Sequence, residues 1–404
     1  MNNKVIDISK YKNKGYTGLV NLGNTCFLNS CIQVLNHTYE LIEILNDPKY
    51  LPIMKQDLPD YSIIKEWMDL REVMWANDGV VSPNKFVYNV HKLAKEKNRD
   101  IFTGWAQNDM SEFLLFIIEC IHNSMSRSIH MKISGNKKNN LDELAIQCYT
   151  MLQSVYSKEY SNIMEIFYGI YVSQIISNDG KIIYKNNPEN FFILDLPIPL
   201  IKSNSSVFDS RVSRLSSVCD STSPTNSFVC DSASSTDSTK ETNECSGQKQ
   251  NNNSISLYDC FDLFTQEEIL ENENAWFNEE SGLKENIQKR IIIWSFPEIL
   301  VITLKRFSQN GERKLNDLVN FPVKNLNLKK YVKGYNANNY KYDLYGVCNH
   351  YGSVLGGHYT SYVKNALNEW VHYNDSNVEI VQNMHEIVSP MAYCLFYRKK
   401  NNLL

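Results

Sequence analysis

The spacing of hydrophobic and polar positions changes once along this chain, near residue 166. From residue 26 to about 165, apolar residues recur at three- and four-residue steps, the period of helices with one buried face. The strongest stripe comprises Phe113, Leu114, Ile117, Ile118 and Ile121. From Phe167 onward, short segments alternate in strand fashion, and Asn178-Asp179-Gly180 indicates a hairpin turn. Helices followed by strands predict an α+β fold.

Two stretches do not fit this pattern. Residues 1–15 are polar and predict a loosely held leader before a domain that spans 16–404. Residues 203–255 are rich in Ser, Thr and Asn, and so polar a segment cannot offset the entropy of ordering, which predicts a disordered insert. It lies between a strand that ends at Pro199 and an apolar restart at Leu257, so it interrupts one domain. A tolerated surface loop is the favoured interpretation, with a phosphorylation or partner segment as the alternative.

Composition excludes several classes of protein. A formal net charge of −4 over 404 residues offers no basic face for nucleic acid. No apolar run approaches the ~20 residues of a membrane span, and the N-terminus lacks a secretory signal, so we expect an intracellular protein, in the cytoplasm or also the nucleus, without a membrane partner. The ten cysteines include no C-x-x-C spacing, which predicts reduced thiols and no metal or other cofactor.

One cysteine stands where a turn rich in Gly and Asn becomes a helix, within Gly18–Ser30. Cys26 begins the apolar periodicity, so we expect it in the first helical turn, where unpaired N–H groups and the helix dipole lower a thiol pKa. Asn24 or Thr25 is the candidate N-cap, and Asn21 is a candidate oxyanion donor. On its own, such a cysteine is more often a buried packing residue, so a nucleophile requires a base elsewhere in the chain.

A candidate base follows a glycine-rich stretch near the end of the chain. His358 opens a strand after what we interpret as a flexible loop, and the next strand ends in Asn374 and Asp375. Either of these two side chains is able to orient an imidazole, and thiol, imidazole and orienting group form the triad of thiol proteases. A core histidine is the alternative for His358 alone, but its combination with Cys26 favours catalysis.

These segments together resemble the ubiquitin-specific proteases, a papain-like family of deubiquitinating cysteine proteases. Gly18–Ser30 is similar to the cysteine box of that family, and Gly357–Tyr362 with Trp370–Val378 is similar to its histidine box. Further similar segments stand between them in the family order: Gln107–Leu114, Leu194–Pro199, Ser256–Phe264, Leu300–Phe307 and Asn320–Val323. The resemblance covers nearly all of the chain outside the leader and the insert.

The resemblance implies a thumb at about 16–165 and a palm with fingers at about 166–404. It implies a thiol hydrolase that cleaves the isopeptide or peptide bond after the C-terminal glycine of ubiquitin, acting as a monomer on ubiquitin and ubiquitinated proteins. By position in the boxes, the nucleophile matches Cys26, the general base His358, the third triad residue Asn374, an adjacent acid Asp375 and the oxyanion-hole donor Asn21.

The resemblance also implies residues that receive the tail of ubiquitin, Leu-Arg-Leu-Arg-Gly-Gly. Asp109 and Glu112 match acids that bind its two guanidinium groups, although from the residues alone a solvated helix face is as good an explanation. Gly356 and Gly357 would let the loop before His358 fold over the tail, and Tyr359 would narrow the channel to glycine.

The chain departs from the family at the fingertips, where many members bind zinc through two C-x-x-C pairs. The corresponding places, at about 171–175 and 276–280, hold no cysteine, so we expect no structural metal. Two alternatives to a deubiquitinase remain: a protease for another ubiquitin-like modifier, and a ubiquitin-binding pseudoenzyme. If Cys26 pairs with His358, hydrolysis should rise with pH through a pKa near or below neutrality.

Overall fold

The structure is a computed structural model that describes residues 6–76, 78–99, 101–104, 106–200, 254–279, 281–308, 313–353 and 356–400. Contacts divide the chain into one large unit, residues 1–199 with 255–404, and a smaller unit of residues 200–254. The predicted insert lies outside the described residues up to 253, and its last residue, Ile255, begins a strand instead. Within the described residues, no helix combines the length and the apolar character that a bilayer crossing requires.

The helices lie mainly in the first 170 residues, as the periodicity predicts. Those described are α1 (Cys26–Asn36), α2 (Tyr39–Asn46), α3 (Pro59–Ala76), α4 (Asn84–Glu96), α5 (Met110–Met125), α6 (Asn140–Glu159), α7 (Met164–Phe167) and α8 (Leu257–Phe264). Side-chain caps define several starts: Asp109 accepts from the N–H groups of Ser111 and Glu112 at α5, and Ser256 forms a capping box with Asp259 at α8.

The described strands lie mainly after residue 168, and only the short strands β1 and β2 come before it. They are β1 (Gly18–Leu19), β2 (Val80–Val81), β3 (Gly169–Ser177), β4 (Ile183–Phe191), β5 (Ile193–Pro197), β6 (Ile255–Ser256), β7 (Glu268–Leu270), β8 (Trp276–Asn278), β9 (Leu283–Glu285), β10 (Ile287–Ser295), β11 (Ile299–Lys305), β12 (Val319–Asn320), β13 (Leu326–Asn327), β14 (Lys341–Ser353), β15 (Gly356–Lys364), β16 (Trp370–Asn374), β17 (Asn377–Ile380) and β18 (Ala392–Lys399).

Two sheets organise these strands. The larger sheet has the order β17-β16-β15-β14-β18-β11-β5, with β13 paired to β14, and the smaller has the order β4-β3-β10-β7. Strands β8 and β9 form a separate ribbon. The glycine-rich stretch before His358 was expected to be a flexible loop, and this is wrong in part: Gly352 pairs with Gly357 and Ser353 with Gly356, so the glycines lie within the β14–β15 hairpin.

Helix α1 lies between the other helices and the large sheet. It contacts α5 on one side and β14, β15 and β16 on the other. All of its residues are therefore buried, although the periodicity predicted only one buried face. Two of its buried polar side chains form hydrogen bonds to neighbouring segments: Gln33 donates to the Thr17 carbonyl at 2.9 Å, and Asn36 accepts from the Trp67 indole at 2.9 Å.

The end of the predicted leader is not loose. Tyr11 is buried, stacks on Tyr39 with ring centroids 4.5 Å apart, and donates its hydroxyl to Glu43 at 2.5 Å. Farther along, the Gly15 carbonyl accepts from the Tyr373 hydroxyl at 2.6 Å. A single large aromatic residue thus anchors a polar segment whose composition indicated no core contact.

Candidate active site

The loop before Cys26 rests on the turn between β16 and β17. Leu19 N–H donates to the Asp375 carbonyl at 2.9 Å, and a Cβ atom on Gly18 would lie 2.5 Å from the carbonyl oxygen of Ser376. Only glycine permits that approach. The turn itself requires a left-handed backbone at Asp375, where φ is 50°. These contacts bring the loop before Cys26 and the β16–β17 turn together.

The side chains of the loop are fixed before α1 begins. Asn21 Oδ1 accepts from the backbone N–H groups of Gly23 and Thr25 at 3.0 and 3.1 Å. Thr25 occupies the N-cap position, but its hydroxyl accepts from Leu22 N–H at 2.9 Å and does not cap the helix. Asn24 adopts a left-handed φ of 56°. The N–H groups of the first turn of α1 are therefore left without a side-chain cap from Thr25.

The Cys26 side chain is buried against β15. It is 4% exposed, and the backbone N–H of Tyr359 points at its sulfur. Burial raises the pKa of the Cys26 thiol above its ordinary value. The hydrogen bond from the Tyr359 N–H lowers this pKa, and the Asp375 carboxylate raises it. The expected lowering of the thiol pKa is therefore wrong for the free protein, because desolvation outweighs the effect of the helix terminus. The expected rise of hydrolysis with pH stays a prediction.

His358 lies one residue before Tyr359, on β15. Its Nε2 donates to Asn374 Oδ1, 2.7 Å away on the neighbouring strand β16. Because the amide oxygen is an acceptor, this hydrogen bond assigns the proton to Nε2 and leaves Nδ1 as the basic nitrogen. The sequence left open whether Asn374 or Asp375 orients the imidazole, and the structure brings Asn374 to it.

Asp375 instead joins the two sides of the cysteine loop. Its Oδ2 accepts from Asn21 Nδ2 at 2.9 Å, and its Oδ1 accepts from Asn29 Nδ2 at 2.8 Å. The candidate oxyanion donor Asn21 is thus held by its carbonyl oxygen and by one amide hydrogen, which leaves its second amide hydrogen for a ligand. The sequence argument missed Asn29, one of several polar residues that α1 buries.

The candidate tail-binding acids lie at the start of α5. Asp109 Oδ2 accepts from the hydroxyls of Tyr393 at 2.7 Å and Tyr359 at 3.3 Å. Burial raises the pKa of both tyrosines, so they remain donors. Glu112 is exposed one turn farther on, and partial desolvation together with the Asp109 carboxylate raises its pKa. Two carboxylates this close favour a cation between or beside them.

Glycine is required at position 357 by the packing around it. A Cβ atom there would lie 2.1 Å from the Tyr351 carbonyl oxygen and 2.4 Å from His350 Nε2. The His350 ring also packs on Tyr359, with centroids 4.7 Å apart. Gly356, Gly357 and Tyr359 therefore form one wall beside the candidate nucleophile.

The described residues contain no group of three His, Cys, Asp or Glu side chains arranged to hold a metal ion. At the fingertip, Trp276 stacks on Tyr184 with centroids 5.7 Å apart. Glu285 accepts from Asn278 and Ser281 at 2.9 and 2.7 Å. Aromatic stacking and a carboxylate hydrogen-bond network thus join the strands at this position.

A buried thiol thus lies next to a strand that carries an amide-oriented imidazole, and these are two of the groups that thiol proteases use. A family model described as ubiquitin carboxyl-terminal hydrolase matches residues 17–397. The chain belongs to this family. The α+β fold and the family expected from the sequence are therefore confirmed.

Individual relatives agree with this assignment. Ubiquitin carboxyl-terminal hydrolase 2 of Bos taurus is 30% identical over 393 residues, which cover 95% of this chain and 55% of that protein. The protein of the same name from Gallus gallus is 30% identical over 395 residues, which cover 95% of this chain and 93% of that protein. The chain thus spans about half the length of the Bos taurus protein.

A solved structure shares the fold at low identity. It is the SAGA DUB module of Ubp8, Sgf11, Sus1 and Sgf73 bound to ubiquitin aldehyde, with a TM-score of 0.63 and 22% identity, covering 98% of this chain and 72% of that chain.

Proposed function

We propose that this protein is a deubiquitinase that hydrolyses the bond after the C-terminal glycine of ubiquitin, with Cys26 as nucleophile. The observation that carries the proposal is the 2.7 Å hydrogen bond from His358 Nε2 to Asn374, on a strand whose next N–H points at the Cys26 sulfur. A core histidine satisfied by backbone would not need this arrangement. Family membership and the ubiquitin aldehyde bound to the Ubp8 module support the choice of substrate.

In the proposed mechanism, His358 Nδ1 takes the Cys26 proton as the sulfur attacks the glycine carbonyl. Burial raises the pKa of this thiol, so removal of its proton needs a base. The resulting oxyanion accepts a hydrogen bond from the second amide N–H of Asn21. The Asp375 carboxylate holds that amide in place through the first amide N–H. His358 then gives its proton to the departing amine, which leaves a thioester on Cys26. Water, deprotonated by His358, attacks the thioester and releases ubiquitin.

Recognition of the tail is assigned to the acidic start of α5. Glu112 is exposed and available to an arginine of the tail, whereas Asp109 shapes the cleft through its hydrogen bonds to Tyr359 and Tyr393. An incoming guanidinium would bind the Glu112 carboxylate and lower its raised pKa. Ubiquitinated proteins are the proposed partners. The monomeric state and the cytoplasmic or nuclear location stay predictions.

Reaction with ubiquitin that carries a C-terminal electrophile tests the proposal. We expect a covalent adduct one ubiquitin heavier than the protein, detected by intact mass, and none with Cys26→Ala. Cys31→Ala is the matched control, because that buried cysteine lies on the same helix and should not affect the adduct.

The same experiment separates the alternatives. An adduct with a related modifier but not with ubiquitin would assign the protein to that modifier. Binding of ubiquitin without any adduct or hydrolysis would indicate a pseudoenzyme and contradict the proposal.

A further inference from the structure

The first half of strand β15 has an open edge that leads to the nucleophile. In the described part of the sheet, β16 pairs with β15 only from Ser361 to Lys364, whereas β14 pairs with it from Gly356 onward. Alternate N–H groups of a strand point to the same edge. The N–H groups of Gly357 and Tyr359 therefore share the open edge, and that of Tyr359 points at Cys26.

A glutamine side chain occupies the other N–H group of this edge. Gln107 Oε1 accepts from Gly357 N–H at 2.5 Å, and Gln107 Nε2 donates to Asn24 Oδ1 at 3.4 Å. The amide thus spans from the histidine strand to the cysteine loop. A Cβ atom on Gly356 would lie 2.5 Å from Gln107 Oε1, so glycine at this position permits the contact.

A side-chain amide offers the same donor and acceptor as a peptide group. Gln107 therefore takes the place that a neighbouring strand would take on this edge. Extended peptides bind to such edges through backbone hydrogen bonds. Gly357 precedes Tyr359 by two residues, or roughly 7 Å along the strand. A tail whose terminal carbonyl lies at Cys26 would consequently present a backbone carbonyl about two residues upstream to the Gly357 N–H.

We propose that Gln107 is a latch on the tail-binding edge: its amide holds the Gly357 N–H in the free enzyme, and the backbone of the ubiquitin tail displaces it. This inference rests on the proposed function and adds a residue that controls access to the site. The latch opposes binding and takes no part in bond cleavage, because its contacts exist only before the tail is seated. Gln107 is exposed, so the displaced amide is free to turn into solvent.

The test compares Gln107→Met with the unmodified protein, using ubiquitin that carries a C-terminal fluorogenic amide. Methionine keeps the length of the side chain and removes both hydrogen bonds, so KM should fall by about threefold, as expected for loss of one competing neutral hydrogen bond. Gln153→Met is the matched control, because the Gln153 amide also forms a hydrogen bond with the backbone, donating to the Met131 carbonyl at 2.7 Å in a different part of the protein. Its KM should equal that of the unmodified protein.

A binding measurement separates association from chemistry. In the Cys26→Ala background, Gln107→Met should lower the Kd for ubiquitin by the same factor as KM. A KM or Kd that stays the same or rises would overturn the latch, as would a fall in kcat alone, which would make Gln107 a positioning residue. If the unmodified protein neither cleaves ubiquitin amide nor reacts with a ubiquitin electrophile, the proposed function fails instead, and the two failures are distinguishable.

Discussion

Two turns of this protein contain an aspartate and a left-handed residue, and they use the aspartate differently. Gly180 follows Asp179 and is left-handed, whereas Asp375 is itself left-handed. In the β3–β4 hairpin, Asp179 accepts from Ser177 Oγ at 2.6 Å and from Lys181 N–H at 3.2 Å, partners two residues away on either side. In the β16–β17 turn, Asp375 accepts from Asn29 and Asn21, which are 346 and 354 residues away. The first carboxylate stabilises its own hairpin, whereas the second joins two segments of the large unit that are far apart in the sequence.

The difference shows which turn must position other parts of the protein accurately. A local turn forms wherever its hairpin forms, and its loss affects mainly that hairpin. A carboxylate that fixes a catalytic loop acts on the position of Asn21 and of the helix that carries Cys26, so its loss should reach the reaction itself. Substitutions in the two regions should therefore separate activity from stability.

The largest expected effect comes from the imidazole partner. Asn374→Ala removes the acceptor of His358 Nε2–H, which frees the ring and its tautomer, and kcat for ubiquitin amide should fall at least ~100-fold. Asn186→Ala is the matched control in the β3–β4 hairpin, because Asn186 Oδ1 also accepts at 2.7 Å, from Gln174. An unchanged kcat in Asn374→Ala would show that this hydrogen bond does not serve catalysis.

Replacing each of the two aspartates tests the distinction between the local turn and the long-range turn. Asp375→Ala should lower kcat by about 10- to 100-fold, because Asn21 and Asn29 lose their shared acceptor, while Asp179→Ala should leave kcat as it is. Steady-state kinetics and thermal unfolding of both variants measure this. Equal losses of activity in the two variants would contradict the distinction between local and long-range turns.

Lowering the pH should destabilise the helices around His37 more than the strands β3, β4 and β10. His37 is completely buried beneath Gly15 and Trp75, and burial lowers its pKa from 6.5 to about 4. The unfolded chain therefore binds this proton first as pH falls, so stability present above pH 6.5 is lost between pH 6.5 and about 4, by about 1–2 kcal/mol at pH 5.5. Burial lowers the pKa of His350 to about 4 and acts in the same direction.

Thermal unfolding and hydrogen exchange at pH 7.5 and 5.0 measure the loss. Exchange should rise in α1 and α2 more than in β3, β4 and β10, which contain no histidine. His37→Gln should reduce the pH dependence, and the exposed His385→Gln should not. A protein equally stable at both pH values would contradict the prediction.

The smallest effect is expected at the fingertip. Trp276→Ala removes the ring that stacks on Tyr184, a contact worth about 0.5–1.5 kcal/mol. Hydrogen exchange should increase near the tips of β4 and β8, with kcat retained. Phe277→Ala, at a neighbouring position more than half exposed, should change exchange less. A loss of kcat in Trp276→Ala would couple the fingertip to the active site.

The parts of the molecule that sequence predicts best are those governed by local rules. Spacing predicted α2 and α5, and the Asn-Asp-Gly turn predicted the β3–β4 hairpin, because each depends on neighbours in the chain. The short strands β7, β8 and β9 were missed, since the many glutamates around them hide the alternation that predicts a strand.

Long-range contacts follow no such rule. Spacing alone placed Cys26 at a helix start, but it did not predict that packing against β15 would bury the thiol and raise its pKa. Nor did it assign Asn374 to His358 or pair Asp375 with Asn29, because these contacts arise only when the sheet is assembled. Gln107 belonged to a recognised segment, yet its contact with Gly357 has no local signal.

The close approach of Gly18 to Ser376 also has a consequence for biosynthesis. Cys26, the proposed nucleophile, and its loop are made well before the β16–β17 turn that holds this loop, because Asn21 and Asp375 are 354 residues apart. At about 5–20 residues per second, a ribosome needs roughly 20–70 s to cover the 354 residues between Asn21 and Asp375. Throughout that time the nascent chain carries Cys26 without the β16–β17 turn that fixes the loop before it.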